Sequence, residues 1–126
     1  MVIADTSIWI EYLKGKEPIR SGLTILMEDN GVMAMEVIFA ELLQGARDLK
    51  EAAIIDEFWR LLPKSAEGGL FLKAGWESSK NKWLSKGVGL IDSAIVMMAR
   101  STQARVWTLD KKLLSILSHE EIFRAA

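Results

Sequence analysis

Four acidic residues stand where the sequence around them is apolar. Asp5 follows the short run "VIA", Glu41 interrupts "VIFAELLQGA", Asp92 interrupts "GLIDSAIVMMA", and Asp110 follows "RVWTL". Taken singly, each has an ordinary structural explanation. A carboxylate at Asp5, Asp92 or Asp110 could cap the helix that follows it, accepting orphan backbone N–H groups at the positive end of the helix dipole. Glu41 is harder to place this way, because Phe39, Ala40, Leu42 and Leu43 flank it and a buried glutamate needs a partner. Glu36, at the start of the same segment, reads as a dipole-matched surface residue. If the four are gathered, they must be neutralised: two carboxylates ~5 Å apart at an effective dielectric of ~20 repel by about 3 kcal/mol. Protons or cations resolve that conflict. An all-oxygen ligand set selects magnesium or manganese rather than zinc. Such a site acidifies a bound water, orients it at a phosphodiester and stabilises the leaving oxygen. Hydroxyls at Thr6, Ser7 and Thr108 could orient a carboxylate, or could equally be capping and strand residues.

Gathering the four acids requires a particular arrangement of elements, and the sequence patterning supplies one. Val2 to Ala4 reads as a buried strand, followed by a helix capped by Thr6 or Ser7 and running to about Lys14. A second helix is expected from about Pro18 to Glu28, and "DNG" then turns the chain into a strand over 32–35. Helices follow from about Glu36 to Ala46, ended near Gly45, and over "LKEAAIIDEFWRLL", ended before Pro63. A long helix is expected around Leu70 to Ser85, then the turn "KGVG", then an apolar helix starting at or near Asp92. Strand "RVWTL" and helix "KKLLSILS" come next, and the tail "EEIFRAA" is ambiguous. Strands separated by helices imply right-handed crossovers and a mainly parallel sheet covered on both faces. Ligands of such sheets bind beyond the carboxyl ends of the strands, where Asp5 and Asp110 would stand.

The chain has 126 residues, 50% of them hydrophobic, which suits one domain over 1–126 with a core of its own. There is no internal repeat or low-complexity tract, and "EGG" at 67–69 reads as a loop. The absence of cysteine excludes disulfides, thiolate zinc sites and a cysteine nucleophile, and suits a reducing cytoplasm. One histidine, His119, argues against a histidine-rich metal cluster, and its polar surroundings argue against catalysis. No apolar run approaches the ~20 residues that span a bilayer, and the start lacks a secretory pattern, so a membrane association is not expected. The net charge is only −1, yet it is unevenly spread: residues 1–69 carry a net −5 and residues 70–126 a net +4.

The stretches "VIADTSIWIEYL", "FAELLQGA", "GLIDSAIVMMA" and "VWTLDKKL", in this order over residues 2–113, resemble a PIN-domain protein, and more narrowly a VapC-type toxin ribonuclease of a toxin–antitoxin pair. The resemblance implies an α/β/α sandwich whose acidic pocket cuts single-stranded or looped RNA with magnesium or manganese. It makes Asp5, Glu41, Asp92 and Asp110 the metal-site acids, and it places Thr6 and Thr108 on hydroxyl positions close to them. It further implies a homodimer and a VapB-like antitoxin partner. Leu113 departs from the phenylalanine common at its position, a change expected to affect packing rather than chemistry.

An acidic pocket attracts phosphate only with basic neighbours. Lys80, Lys82 and Lys86 upstream of Asp92, and Lys111 and Lys112 after Asp110, could steer an RNA backbone, or could form ordinary solvated faces. The five tryptophans mostly keep aliphatic company, which assigns most of them to the core or a subunit interface. Three rival readings stand beside this one. A receiver domain needs a lysine at a late strand end, which "VWTLD" lacks, and a haloacid-dehalogenase-like phosphatase needs an aspartate where "DTS" has serine. The third is a catalytically silent PIN-like module that binds RNA or protein.

Overall fold

All three residues of strand β1, Val2–Ala4, are buried. Because successive side chains of a strand face opposite sides, this means that both faces of the sheet are covered. β1 pairs in parallel with β2, Arg105–Trp107, in the register Val2 with Arg105, Ile3 with Val106 and Ala4 with Trp107. The computed structural model describes residues 1–125. In it, helices α1 (Thr6–Leu13), α2 (Ile19–Glu28), α3 (Glu36–Gln44), α4 (Leu49–Leu61), α5 (Leu70–Asn81) and α6 (Leu90–Thr102) lie between the two strands in sequence, and α7 (Lys111–Ile116) follows β2. This is the expected α/β class, a parallel sheet between helical layers. α5 packs along α6, α3 against α4, α1 against α2 and α3, and α6 against β2.

The strand expected at 32–35 is reduced to single parallel pairings, Val2 with Val32 and Ala34 with Lys64. The reason is in the backbone partners. Met33 N donates to Val2 O, whereas Ala34 N donates to Pro63 O, so the segment bridges two different neighbours and completes a ladder with neither. A matching bridge between Val106 and Ile122 gives the ambiguous tail a place at the other edge. The long helix expected to Ser85 ends instead at Asn81, where Lys82 takes a left-handed conformation (φ 56°), and Leu84–Lys86 form a separate tight turn. β2 stops at Trp107, short of the expected Leu109.

The core gathers on α1 and α3. Trp9, 1% exposed, sits at ring-centroid distances of 5.6 Å from Tyr12, 5.2 Å from Phe39 and 5.5 Å from Phe58. Trp83 and Trp107 are also buried and Trp59 packs partly buried against the core, so most of the tryptophans are core residues as expected, while Trp76 is 78% exposed. Leu113 is fully buried, in keeping with a packing role.

Candidate active site

The end of β1 and the end of β2 are tied together before any acid is considered: Asp5 N donates to Trp107 O at 3.0 Å. Directly beyond that bond the Asp5 carboxylate, only 5% exposed, accepts from the Ser7 hydroxyl at 2.5 Å, from the Thr108 hydroxyl and from Ile8 N at 3.3 Å. The Ile8 bond makes Asp5 the N-cap of α1, so it is a cap and a cleft residue at once. The same two hydroxyls reach the other strand end, since Ser7 Oγ accepts from Leu109 N and Thr108 Oγ1 accepts from Asp110 N, both at 3.0 Å. This diversion of the backbone after Trp107 explains why β2 is short. Burial pushes the Asp5 carboxyl above its ordinary pKa, against the lowering effect of its bonds from Ser7, Thr108 and Ile8.

Each remaining acid arrives on a different element. Glu41, half-buried on α3, accepts from the Thr6 hydroxyl at 2.8 Å, which links α3 to the first residue of α1. Asp110 caps α7, accepting from Lys112 N at 2.8 Å and Leu113 N at 3.4 Å, and is exposed. Asp92 differs from the cap expected at the start of its helix. α6 begins at Leu90 with Gly89 as its cap residue, and Asp92 lies in the first turn. Its carboxyl is pushed up to about 6, by burial first and then by the negative charges of Asp110, Asp5 and Glu41. No hydrogen bond offsets these effects among the described residues.

All four acids line one open cleft of about 590 Å³, together with Thr6, Ser7 and the backbone entering α6 from Gly89 to Ile91. Thr108 lies beneath the floor, buried at 6% exposure, and acts on the cleft through Asp5. Two contributors escaped sequence reasoning. Gly89 edges the cleft, and a Cβ there would meet nothing within 4 Å, so its lack of a side chain keeps the mouth open. Buried Ser93 donates to Gly89 O at 2.9 Å and holds that edge; a serine one residue after an acid gives no signal of this.

None of the four acids is in an ion pair among the described residues. The donor set therefore fits a hard divalent cation in chemistry. Among the described residues no three acidic, histidine or cysteine side chains are arranged to close on one ion directly. Magnesium tolerates this, because it retains several waters and is commonly held by one or two carboxylates. Of the five lysines considered for RNA, Lys82 lines a neighbouring cleft, while Lys80, Lys86, Lys111 and Lys112 are exposed and line neither. The stem of Lys112 crosses Gly87, where a Cβ would stand 2.8 Å from Lys112 Cδ and push that flexible stem aside, and the left-handed backbone there (φ +84°) favours glycine. His119 is exposed in a terminal turn.

Thr6 offers a test of positioning. Thr6→Val removes the donor that aims Glu41 while preserving shape, and is expected to weaken divalent-cation binding about 10–100-fold. Isothermal titration with manganese at pH 7 reads this out, and an unchanged affinity would show that Glu41 needs no such support.

Comparison with known proteins places this geometry. No curated protein matches the sequence. A chain in the crystal structure of VapBC2 from Rickettsia felis, bound to a DNA fragment from their promoter, is similar in fold: TM-score 0.68 at 20% identity, covering 97% of this chain and 96% of that one. The sequence matches the PIN domain over residues 2–117. PIN domains are generally nucleases that use divalent metal ions. With that match spanning nearly the whole length, from the first residue of β1 to the residue that follows α7, the chain belongs to the PIN-domain family.

Proposed function

We propose that the chain is a magnesium- or manganese-dependent endoribonuclease, the VapC-type toxin of a toxin–antitoxin pair. The observation that carries this reading is the convergence of Asp5, Glu41, Asp92 and Asp110 on one cleft, none of them paired with a basic side chain among the described residues. These four residues would hold the ion, which when bound supplies Lewis-acid polarisation of the phosphodiester and an acidified water. The chain's own contribution is orientation. Ser7 and Thr108 hold Asp5, Thr6 holds Glu41, and the α7 backbone holds Asp110, so three of the acids are aimed before any ligand arrives. Asp92 alone is held by no such bond and is free to be deprotonated by the ion.

A VapB-like antitoxin is the proposed partner, supported by the fold-level likeness to a chain of the VapBC2 complex. A homodimer is proposed from the apolar Leu72 and Trp76, 76% and 78% exposed one turn apart on α5. A cytoplasmic location is supported by the lack of cysteine; no helix among the described residues is long and apolar enough to cross a membrane.

The competing reading, a silent PIN-like module, draws on the absence, among the described residues, of three acids pre-set around one ion. Incubating the purified chain with total RNA at graded magnesium and manganese separates the two. Cleavage that appears with metal and stops with chelator is the expected result. RNA binding without cutting under any metal condition would favour the silent module.

A further inference from the structure

Next to the acidic cleft lies a second one, of about 620 Å³, between the last turns of α5 and the segment leading into α6. It combines the hydroxyls of Ser78 and Ser79 and the ammonium of Lys82 with the aliphatic side chains of Leu84, Val88 and Leu90. Leu90 lines both clefts, so the two adjoin along one side chain. Leu84 and Leu90 are 76% and 51% exposed, apolar surface that no part of the chain covers among the described residues.

We propose that this second cleft seats the nucleotide adjoining the scissile phosphate of a single-stranded RNA; the inference rests on the nuclease reading above. The dimensions fit, since a cleft of roughly 300–1,000 Å³ is the usual range for a small-molecule-sized group. The chemistry is that of a nucleotide. The exposed apolar surface of Leu84 and Leu90 can cover the flat face of a base by hydrophobic burial, which does not depend on which base it is. Hydroxyls beside them suit a ribose 2′-OH, and an ammonium at the rim suits the connecting phosphate. Charge supplies the link between the clefts. The four acids repel the RNA backbone, and Lys82 brings a positive charge to the wall of the adjoining cleft that can offset them. Its position is set by the early end of α5, which turns Lys82 into a left-handed conformation in the wall of this cleft. Gly75 completes the site. Glycine is unfavourable inside a helix, yet it stands in the middle of α5, and a Cβ there would meet nothing within 4 Å. The missing side chain leaves the cleft open.

Gly75 makes the inference testable without touching the acids. In the full chain, Gly75→Phe fills the cleft from a position with free space, and Lys82→Gln removes its charge. With a single-stranded RNA that the unmodified chain cuts, both variants are expected to raise KM, by about tenfold for Gly75→Phe, with kcat held within about twofold. Lys82→Gln should also reduce the dependence of log KM on log salt by about one unit, which a purely structural role would not do. Gly75→Ala should raise the melting temperature, confirming that the helix tolerates side chains there. Unchanged KM in both Gly75→Phe and Lys82→Gln, with cutting intact, would overturn the subsite alone. Absence of metal-dependent cutting by the unmodified chain would overturn the nuclease reading and the subsite with it.

Discussion

Asp92→Asn is expected to lower metal-dependent RNA cleavage at least about a hundredfold, since even partners that merely orient metal ligands cost about 10–100-fold when removed. The same substitution should stabilise the metal-free protein at pH 7. Asp92 carries a carboxyl whose pKa rises from 3.8 to about 6 on folding, because burial and the charges of Asp110, Asp5 and Glu41 all disfavour its ionised form. A folded-state pKa above the unfolded one means that the folded chain binds the extra proton more tightly. Stability is therefore highest below about pH 4 as far as this group is concerned, falls as pH rises from 3.8 through about 6, and stays reduced above that. At 1.36 kcal/mol per unit the penalty is about 3 kcal/mol as an upper bound, and solvent at the open cleft reduces it to about 1–2 kcal/mol. The burial-raised Asp5 contributes in the same direction. Urea unfolding of the metal-free chain at pH 5 and pH 7 measures the slope, and Asp92→Asn should flatten it. Saturating manganese should restore wild-type stability at pH 7 and leave the variant unmoved, by the mass-action stabilisation a ligand gives the folded state. A variant less stable than the parent at pH 7 would remove the argument that the acids repel one another in the absence of a cation.

That repulsion was legible in the sequence because it needs only residue types: four acids in apolar company, at strand ends and in buried helices. How each acid is held was not. Asp5 and Asp110 satisfy the capping explanation and the cleft explanation together, so for them the two were never alternatives. For Asp92 the capping explanation fails by three residues, because Gly89 supplies the cap of α6 and Ser93 bonds back to it. Periodicity locates a helix but does not resolve its first turn, where backbone geometry chooses the cap. The segment 32–35 falls short of the strand its composition predicts for a related reason. "VMAM" has strand composition, but whether a segment forms a ladder depends on its neighbours, and here Val32 and Ala34 face different ones. The end of α5 at Asn81 was invisible because "KNKWLSKG" keeps helix-compatible residues through the break, and the left-handed turn at Lys82 is fixed by where Trp83 must be buried. The second cleft exists only because of that break, which is why the lysines could be named from sequence but not ranked.

Trp9→Ala is expected to cost about 3–5 kcal/mol, the range for deleting a buried aromatic side chain. A domain of this size has about 5–15 kcal/mol in total. Trp9 belongs to α1, and its ring meets Phe39 of α3 and Phe58 of α4 as well as Tyr12 of its own helix. No other aromatic residue touches all three. Those helices also carry the cleft: α1 begins with Thr6, α3 holds Glu41, and the single bond between these two side chains spans the same pair of helices that Trp9 packs apart. A cavity under α1 lets it settle towards α3, and a shift of about 1 Å is enough to damage a catalytic arrangement by about a hundredfold. Trp9→Ala should therefore lose both stability and manganese affinity, whereas Thr6→Val should lose affinity with little change in unfolding midpoint. Measured side by side by urea unfolding and manganese titration, the pair separates the two ways in which α1 serves the cleft. If Trp9→Ala instead kept full affinity in its remaining folded fraction, α1 would have to be held in place by β1 and by the bond from Asp5 N to Trp107 O. The joint between core and cleft would then be the strand end and not the aromatic cluster.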